Sequence, residues 1–481
     1  MATEFKPPFE MIQSVRVAIN LGGCFDIPAG SYELGKHGES ILNGGLTPIT
    51  GVVGAPNNFK TTIADFMAFT AYSRFKMHIH AHGMKYDTEA NSTFSRHSEL
   101  AEHVEGLSGA DNPVENGRWN ITDKTVYSGN SWFEIFRKFA KEKESNAKEL
   151  TVTTPFLNRD GTPLQILVPT PSCVDSLTEL ETDDVTEIRQ ANELGDSGTN
   201  TAFMRQGLAK THLVSQLPTI VAKGNLPTIL TAHIGKMIAM DPRAAPIKTL
   251  QFLKNGDVIK GVTSKFLFLT HLCWQCSNAA PLVNDGTKAP EYPNGPGDDM
   301  KGDTDLMLVT LSLLRNKYGR SGLIMQIVVS QEEGVLPSLS EFHYIKTNDR
   351  FGLGGNVQNY FLDLLPDVKL SRTAVRPKLY KDEKLRRAVQ ITSEMCQMKM
   401  LWNDDTNVFC TPKELYDDLI AIGYDWPTLL NTRGYWLADN DSPTHEKQFL
   451  STMDMLRMRK GYYTPYWWPK DKPLDMTKCK S

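Results

Sequence analysis

Gly54-Ala55-Pro56-Asn57-Asn58-Phe59-Lys60-Thr61-Thr62 follows an apolar run, Ile49-Thr50-Gly51-Val52-Val53. After it comes Ile63-Ala64-Asp65-Phe66-Met67-Ala68-Phe69-Thr70-Ala71-Tyr72, whose apolar residues fall at helical spacing. The nine residues match the phosphate-loop pattern Gly-x4-Gly-Lys-[Ser/Thr], with Phe59 where the second glycine usually stands. Strand, tight loop and helix form the context in which backbone N–H groups and a helix N-terminus cradle a polyphosphate. All nine residues are therefore candidates for nucleotide contact. Lys60 would reach the β/γ-phosphates, and the Thr61 hydroxyl would face Mg²⁺. The plainer alternative is a strand–helix turn that happens to contain Lys-Thr-Thr.

The 481 residues are enough for two or three domains and a large core. Hydrophobic content of 40% and charged content of 22% are those of a soluble globular chain. A net charge of −4 provides no general basic field, so any contact with nucleic acid must come from local patches. No apolar run approaches a membrane span and nothing at the start resembles a signal peptide, so no membrane partner is expected. Seven scattered cysteines suit a reducing compartment, and the expected location is cytoplasmic (the host cytoplasm if the chain is viral).

Three regions are expected: an N-terminal segment over 1–40, an α/β core over 41–350, and a helical region over 365–481. In the core, apolar runs alternate with helical segments. Candidate strands are 50–54, 77–86, 164–174, 227–233, 265–272, 306–314 and 323–329. Thr411-Pro412-Lys413-Glu414 reads as a capping box with proline at the first helical position.

Nucleotide hydrolysis needs a carboxylate to deprotonate water and an acid at a strand end to support the metal. Tyr86-Asp87-Thr88-Glu89 follows the second apolar run and makes Glu89 the candidate base; a solvated acidic turn is the alternative. Asp175, closing the run from Leu164, is the candidate metal-supporting acid, although Pro169 and Pro171 should interrupt that strand. His233 ends Leu226–His233 and is placed to sense a terminal phosphate, or else is structural. Arg315 and Lys317, ending another strand, are cations of the kind that stabilise transition-state charge on a neighbouring subunit's nucleotide. His78, His80 and His82 alternate as if on one strand face, but lack other ligands at zinc spacing. Cys273-Trp274-Gln275-Cys276 has no second pair nearby and reads as core strand.

The succession of Gly44-Gly45-Leu46, the loop at 54–62, Asp87-Thr88-Glu89, Asp175-Ser176, a strand ending at His233, a basic stretch and Arg315-Asn316-Lys317 resembles the RecA family of recombinases. The similarity is greatest to a phage-encoded member that also carries Phe-Lys in its loop and histidine at the strand end. It covers about residues 40–350, with an insertion at about 90–160. The resemblance implies a RecA-like P-loop NTPase core, whose central, mostly parallel twisted sheet is flanked by helices; the α-rich C-terminal extension over 365–481 is read from composition and has no counterpart in that pattern. It further implies ATP and Mg²⁺ as cofactors, with Lys60 and Thr61 on the phosphates and metal and Asp175 supporting the metal. Glu89 would activate water, and Arg315 and Lys317 would act across a subunit interface. The implied function is a DNA-dependent ATPase that polymerises on single-stranded DNA and promotes pairing and strand exchange with a duplex, in recombination and repair. DNA contact falls to two loops, one over roughly 180–202 and one over 236–264. The second carries Lys236, Arg243, Lys248, Lys254 and Lys260, a basic track suited to a phosphate backbone.

Two rival readings share that fold. One is a hexameric DnaB-like replicative helicase, a ring rather than a filament. The other is a DNA-binding module with a degenerate ATPase, suggested by Phe59, Pro56 and the proline-broken strand. In the tail, residues 369–387 hold eight Lys/Arg against two acids and suit DNA, whereas Trp467 and Trp468 read as packing residues.

Overall fold

Ile49–Gly54 lies in the middle of the largest sheet, and all six of its residues are buried. The computed structural model describes residues 15–183, 185–187, 197–237, 248–262, 264–295, 297–298, 300–402, 408–438 and 447–480. The sheet strands are β1 (Ile49–Gly54), β2 (Gly83–Asp87), β3 (Trp119–Asp123), β4 (Ser172–Asp175), β5 (Thr228–Lys236), β6 (Asp257–Ile259), β7 (Leu272–Pro281), β8 (Leu306–Asn316), β9 (Ile324–Ser330) and β10 (Gly334–Val335). Their spatial order is β10-β9-β8-β7-β1-β5-β4-β2-β3, with β6 paired to β5. From β7 through β3 every neighbour is parallel; β8, β9 and β10 continue antiparallel, and β6 is antiparallel on β5. The chain is thus α/β, with a large mixed, mostly parallel sheet flanked by helices.

Two-residue periodicity divides the core. Val52 points to one face and packs with the helix α1 (Lys60–Ser73) through Ile63, Met67 and Phe69. Ile49 and Val53 point to the other, where α2 (Gly129–Ser145) and α3 (Ser197–Gly224) supply Trp132, Phe136, Val214 and Leu217. The segment inserted after Glu89 contributes both edge strand β3 and helix α2. A third core joins α4 (Pro337–Thr347) and α5 (Glu383–Trp402) to Leu306 and Val328 of the sheet. Thr411 and Glu414 form the expected capping box of the helix Pro412–Ile422.

Three strand expectations are corrected. Residues 265–272 form a helix, Ser264–Leu269, before β7 begins at Leu272. A short apolar run fits a buried helix turn as well as a strand, and here Phe266 is the residue driven inward. Residues 77–82 are turns, with Met77 and Ile79 exposed, so His78, His80 and His82 share no strand face. The run 164–174 splits at its prolines into Pro163–Leu167, which pairs with Thr151–Leu157, and β4.

Buried carboxylates join the helical region to the core. Asp26, on the short helix Gly23–Ala29, accepts the Leu21 and Gly22 N–H groups at 2.8 and 3.1 Å. Burial, with a smaller contribution from Glu394, pushes it up to about 8. Burial likewise pushes Asp454 up to about 8, with Glu39 adding to it. Glu341 and Glu394, both raised by burial first, face the same region, where the Arg387 charge opposes the rise of each. A carboxylate raised in the folded state favours folding when protonated. Its contribution is therefore fully present below the unfolded value of 3.8 and is lost as pH rises through about 8. Stability should fall between pH 5 and pH 8 by about 1.4 kcal/mol per pH unit for each such group. Denaturant unfolding at several pH values measures the slope, and Asp26→Asn should lessen it by the share of one group. A level profile over that range would refute the assignment.

Candidate functional site

The loop after β1 takes its shape from backbone positions that few side chains accept. Asn57 and Phe59 have φ of 61° and 58°, in the left-handed region. Phe59 therefore adopts the conformation for which the phosphate-loop pattern uses glycine, and holds it with its ring packed on the core beside α1. Asn58 fastens the loop: its Oδ1 accepts the Ala279 N–H at 3.2 Å, and its Nδ2 donates to Ala55 O at 3.4 Å. Pro56 and Asn57 are exposed at the tip. Helix α1 begins at Lys60 with Phe59 as N-cap, which supplies no side-chain cap. Lys60 is buried, while Thr61 and Thr62 are half-buried at the first turn.

Gly54 is where the chain leaves the sheet. A Cβ there would lie 2.7 Å from Cys276 O and 3.1 Å from Lys60 Cγ. Gly54→Ala should cost about 1–3 kcal/mol, because neither backbone carbonyl nor buried lysine can move freely. A melting temperature equal to that of the parent chain would show that the loop is looser than this geometry.

The carboxyl ends of β1, β5, β4 and β2 lie side by side. Gly54 is level with His233, and Asp175 with Asp87. Such an edge is where open α/β sheets bind ligands. Glu89 is held by a turn built on Asp87, whose carboxylate accepts the N–H groups of Glu89, Ala90, Asn91 and Ser92 at 2.7–3.0 Å. Burial opposes ionisation of Asp87, but the hydrogen bonds from Ser92, Glu89 and Asn91 outweigh it and hold its pKa below the ordinary range. Glu89 Oε1 lies 2.9 Å from His233 Nε2, and Asn91 Nδ2 donates to Glu89 Oε2 at 3.2 Å. The candidate base and the candidate sensor are thus in direct contact.

Asp175 is buried, and its Oδ1 accepts the Thr231 hydroxyl at 2.5 Å. Its Oδ2 faces Lys85 Nζ at 3.5 Å. Lys85 is fully buried and closer to Asp65 of α1, at 2.8 and 2.9 Å from its two oxygens. Lys85 and Asp65 carry no motif signal; a charge inside each of two apolar runs was the only trace of them. Thr88 Oγ1 donates to Ser176 O and accepts the Ser176 N–H, both at 2.7 Å, which laces the turns after β2 and β4 together.

His233 also leads towards the lysine-bearing segment. Its N–H donates to Thr178 Oγ1 at 3.0 Å, and its carbonyl accepts the Lys260 N–H at 2.8 Å. β6 folds back on β5 there, pairing Asp257 with Lys236. Lys248, Lys254 and Lys260 are exposed, whereas the Lys236 ammonium is engaged by Asp257. Arg243 lies outside the described residues, as do residues 188–196 of the first expected DNA loop.

Arg315 and Lys317 stand elsewhere. Arg315 is level with Cys273, which is level with Gly51, three residues before Gly54. That separates it from the loop by about 10 Å along the strands and two strand spacings, also about 10 Å, across them. Its Nε donates to Thr270 O, pointing the side chain further away from the loop. Burial first, then Arg315 and Arg16, lower the Lys317 pKa. His271 is pushed down to about 4 by burial and then by Lys317 and Arg16. Among the described residues no carboxylate pairs with Arg315 or Lys317, so positive charge gathers at this end of the sheet.

The basic run of the tail is partly structural. Arg376 is buried against Glu333 and Asp305 at 2.7 and 3.3 Å, and Arg387 is buried with its guanidinium on Leu450 O. Trp468 and Tyr463 are buried and Trp467 half-buried in the third core, as packing residues would be.

The donors suit a nucleotide with a hard divalent cation. The left-handed loop, the uncapped helix start and the buried lysine could hold phosphate, and the Thr61 hydroxyl and the Asp175 carboxylate are oxygen donors of the kind a hard cation such as Mg²⁺ takes beside waters and phosphate. Among the described residues no group of three or more His, Cys, Asp or Glu forms a self-contained metal cage. No helix among them is long and apolar enough to cross a membrane. No protein-family model and no curated protein matches the chain.

Proposed function

We propose that the chain is an ATP-dependent recombinase of the RecA type, which assembles with further copies on single-stranded DNA and promotes pairing with a homologous duplex. One observation carries this reading. The loop after β1, Glu89, Asp175 and His233, drawn from four separate strand ends, lie along one edge of the sheet, where Glu89 touches His233.

In this mechanism the amides of residues 57–62 and the Lys60 ammonium would hold the phosphates, and Thr61 and Asp175 would hold Mg²⁺, whose charge would offset the negative charge that develops there. Glu89 takes the proton from the attacking water. With His233 on Glu89, that base is occupied. Transfer of the His233 contact to a terminal phosphate frees Glu89 and shifts the backbone that carries Lys260, tying nucleotide state to the DNA-contacting segment. The cations at the opposite end of the sheet complete the site of a neighbouring copy.

The test is the ATPase rate with and without single-stranded DNA, with negative-stain images of the same samples. DNA-stimulated hydrolysis and helical filaments are expected. Stimulated hydrolysis with closed rings would favour the helicase, and DNA binding without nucleotide binding would favour a module with a degenerate loop.

A further inference from the structure

The site stands on a buried charge cluster that its surface chemistry does not require. Lys85 Nζ sits between Asp65 and Asp175 with no solvent exposure. His97, also buried, places Nε2 3.4 Å from Asp65 Oδ2 without a hydrogen bond, while its Nδ1 is 2.9 Å from Thr93 O. A buried ion pair is often no more stabilising than a well-packed apolar pair of the same volume. Stability alone therefore does not account for Lys85 and Asp65.

Their placement does. Asp65 lies on α1, five residues after Lys60. Lys85 lies on β2, four residues before Glu89. Asp175 ends β4. One ammonium thus ties together the three elements that carry the loop, the base and the metal-supporting acid. The distances divide its charge unequally: both Asp65 oxygens are within 2.9 Å, whereas Asp175 is at 3.5 Å. Burial disfavours the Lys85 ammonium, but Asp65 and then Asp175 outweigh it, so Lys85 stays charged. With Asp65 cancelling most of that charge, the Asp175 carboxylate is held by the Thr231 hydroxyl without being neutralised by Lys85.

We propose that Asp65 is a positioning residue that sets the affinity of the site for a divalent cation accompanying the nucleotide, by keeping Lys85 from neutralising Asp175. This inference rests on the nucleotide reading above. In Asp65→Asn, Lys85 turns its whole charge on Asp175, and the cation is bound less tightly. Replacing both charges, as in Lys85→Met/Asp65→Leu, leaves no opposing charge on Asp175 and restores binding.

Binding of a fluorescent ATP analogue, titrated with Mg²⁺ and repeated in EDTA, tests this on the full chain. For Asp65→Asn the Mg²⁺ midpoint should rise about tenfold or more, as removal of outer-shell partners does elsewhere. Its binding in EDTA should match that of the parent chain. The double variant should return the midpoint to the parent value, an outcome that a merely structural pair would not give. A folded Asp65→Asn with an unchanged midpoint overturns the inference. If Asp65→Asn does not fold, the double variant decides alone, and a midpoint raised tenfold there overturns the inference equally. A parent chain that binds no analogue with or without Mg²⁺ overturns the nucleotide reading, and this inference with it.

Discussion

Arg315→Ala is expected to lower DNA-stimulated ATP hydrolysis about 10³–10⁵-fold, the range over which a transition-state arginine acts. Its own loop is out of reach. Arg315 is level with Gly51 rather than Gly54, two strands away, and its Nε donates to Thr270 O on the far side. The loss must therefore arise at an interface, and mixing shows whether it does. A Lys60→Ala subunit is expected to lose hydrolysis but keeps Arg315; an Arg315→Ala subunit keeps its loop. Placed side by side, the first completes the site of the second, and mixtures of two inactive chains should hydrolyse ATP. The charge cluster supports this arrangement, since Lys317 and Arg16 join Arg315 without a carboxylate partner for Arg315 or Lys317 among the described residues. Mixtures that stay inactive at every ratio would remove the interface role.

Glu89→Gln should reduce turnover about 10²–10⁴-fold while leaving nucleotide binding intact, because glutamine keeps the hydrogen-bonding shape but cannot take a proton. The Asp87 turn that presents residue 89 uses backbone N–H groups, so its geometry survives the change. The contact with His233 can also persist, because a glutamine amide both donates and accepts. Single-turnover hydrolysis separates this from a binding defect. Wild-type turnover in Glu89→Gln would transfer the role of base to another group, and loss of analogue binding would make Glu89 a structural residue of the turn.

Much of this architecture is legible along the chain because its causes are local. The run 49–53, the loop residues and the spacing of 63–72 specify a strand, a tight turn and a helix within a few residues of one another. Pro169 and Pro171 divide a strand by removing donors, and Thr411 with Glu414 starts a helix, wherever those segments end up. The length and composition of the run at 265–272 suit both periods, and only packing around Phe266 selects the helix over the expected strand.

By itself, then, the sequence determined the loop, its flanking elements and the residue types at the ends of the strands, since these follow from periodicity, turn chemistry and side-chain donors. Tertiary structure alone decided which of them meet. Glu89 and His233 touch across 144 residues because strand order sets their ends two strands apart. The same order carries Arg315 to the opposite end of the sheet and buries Lys85 between two acids from other elements. Contacts of that range depend on how distant strands pair, and hydrophobic spacing within one segment has no bearing on that choice.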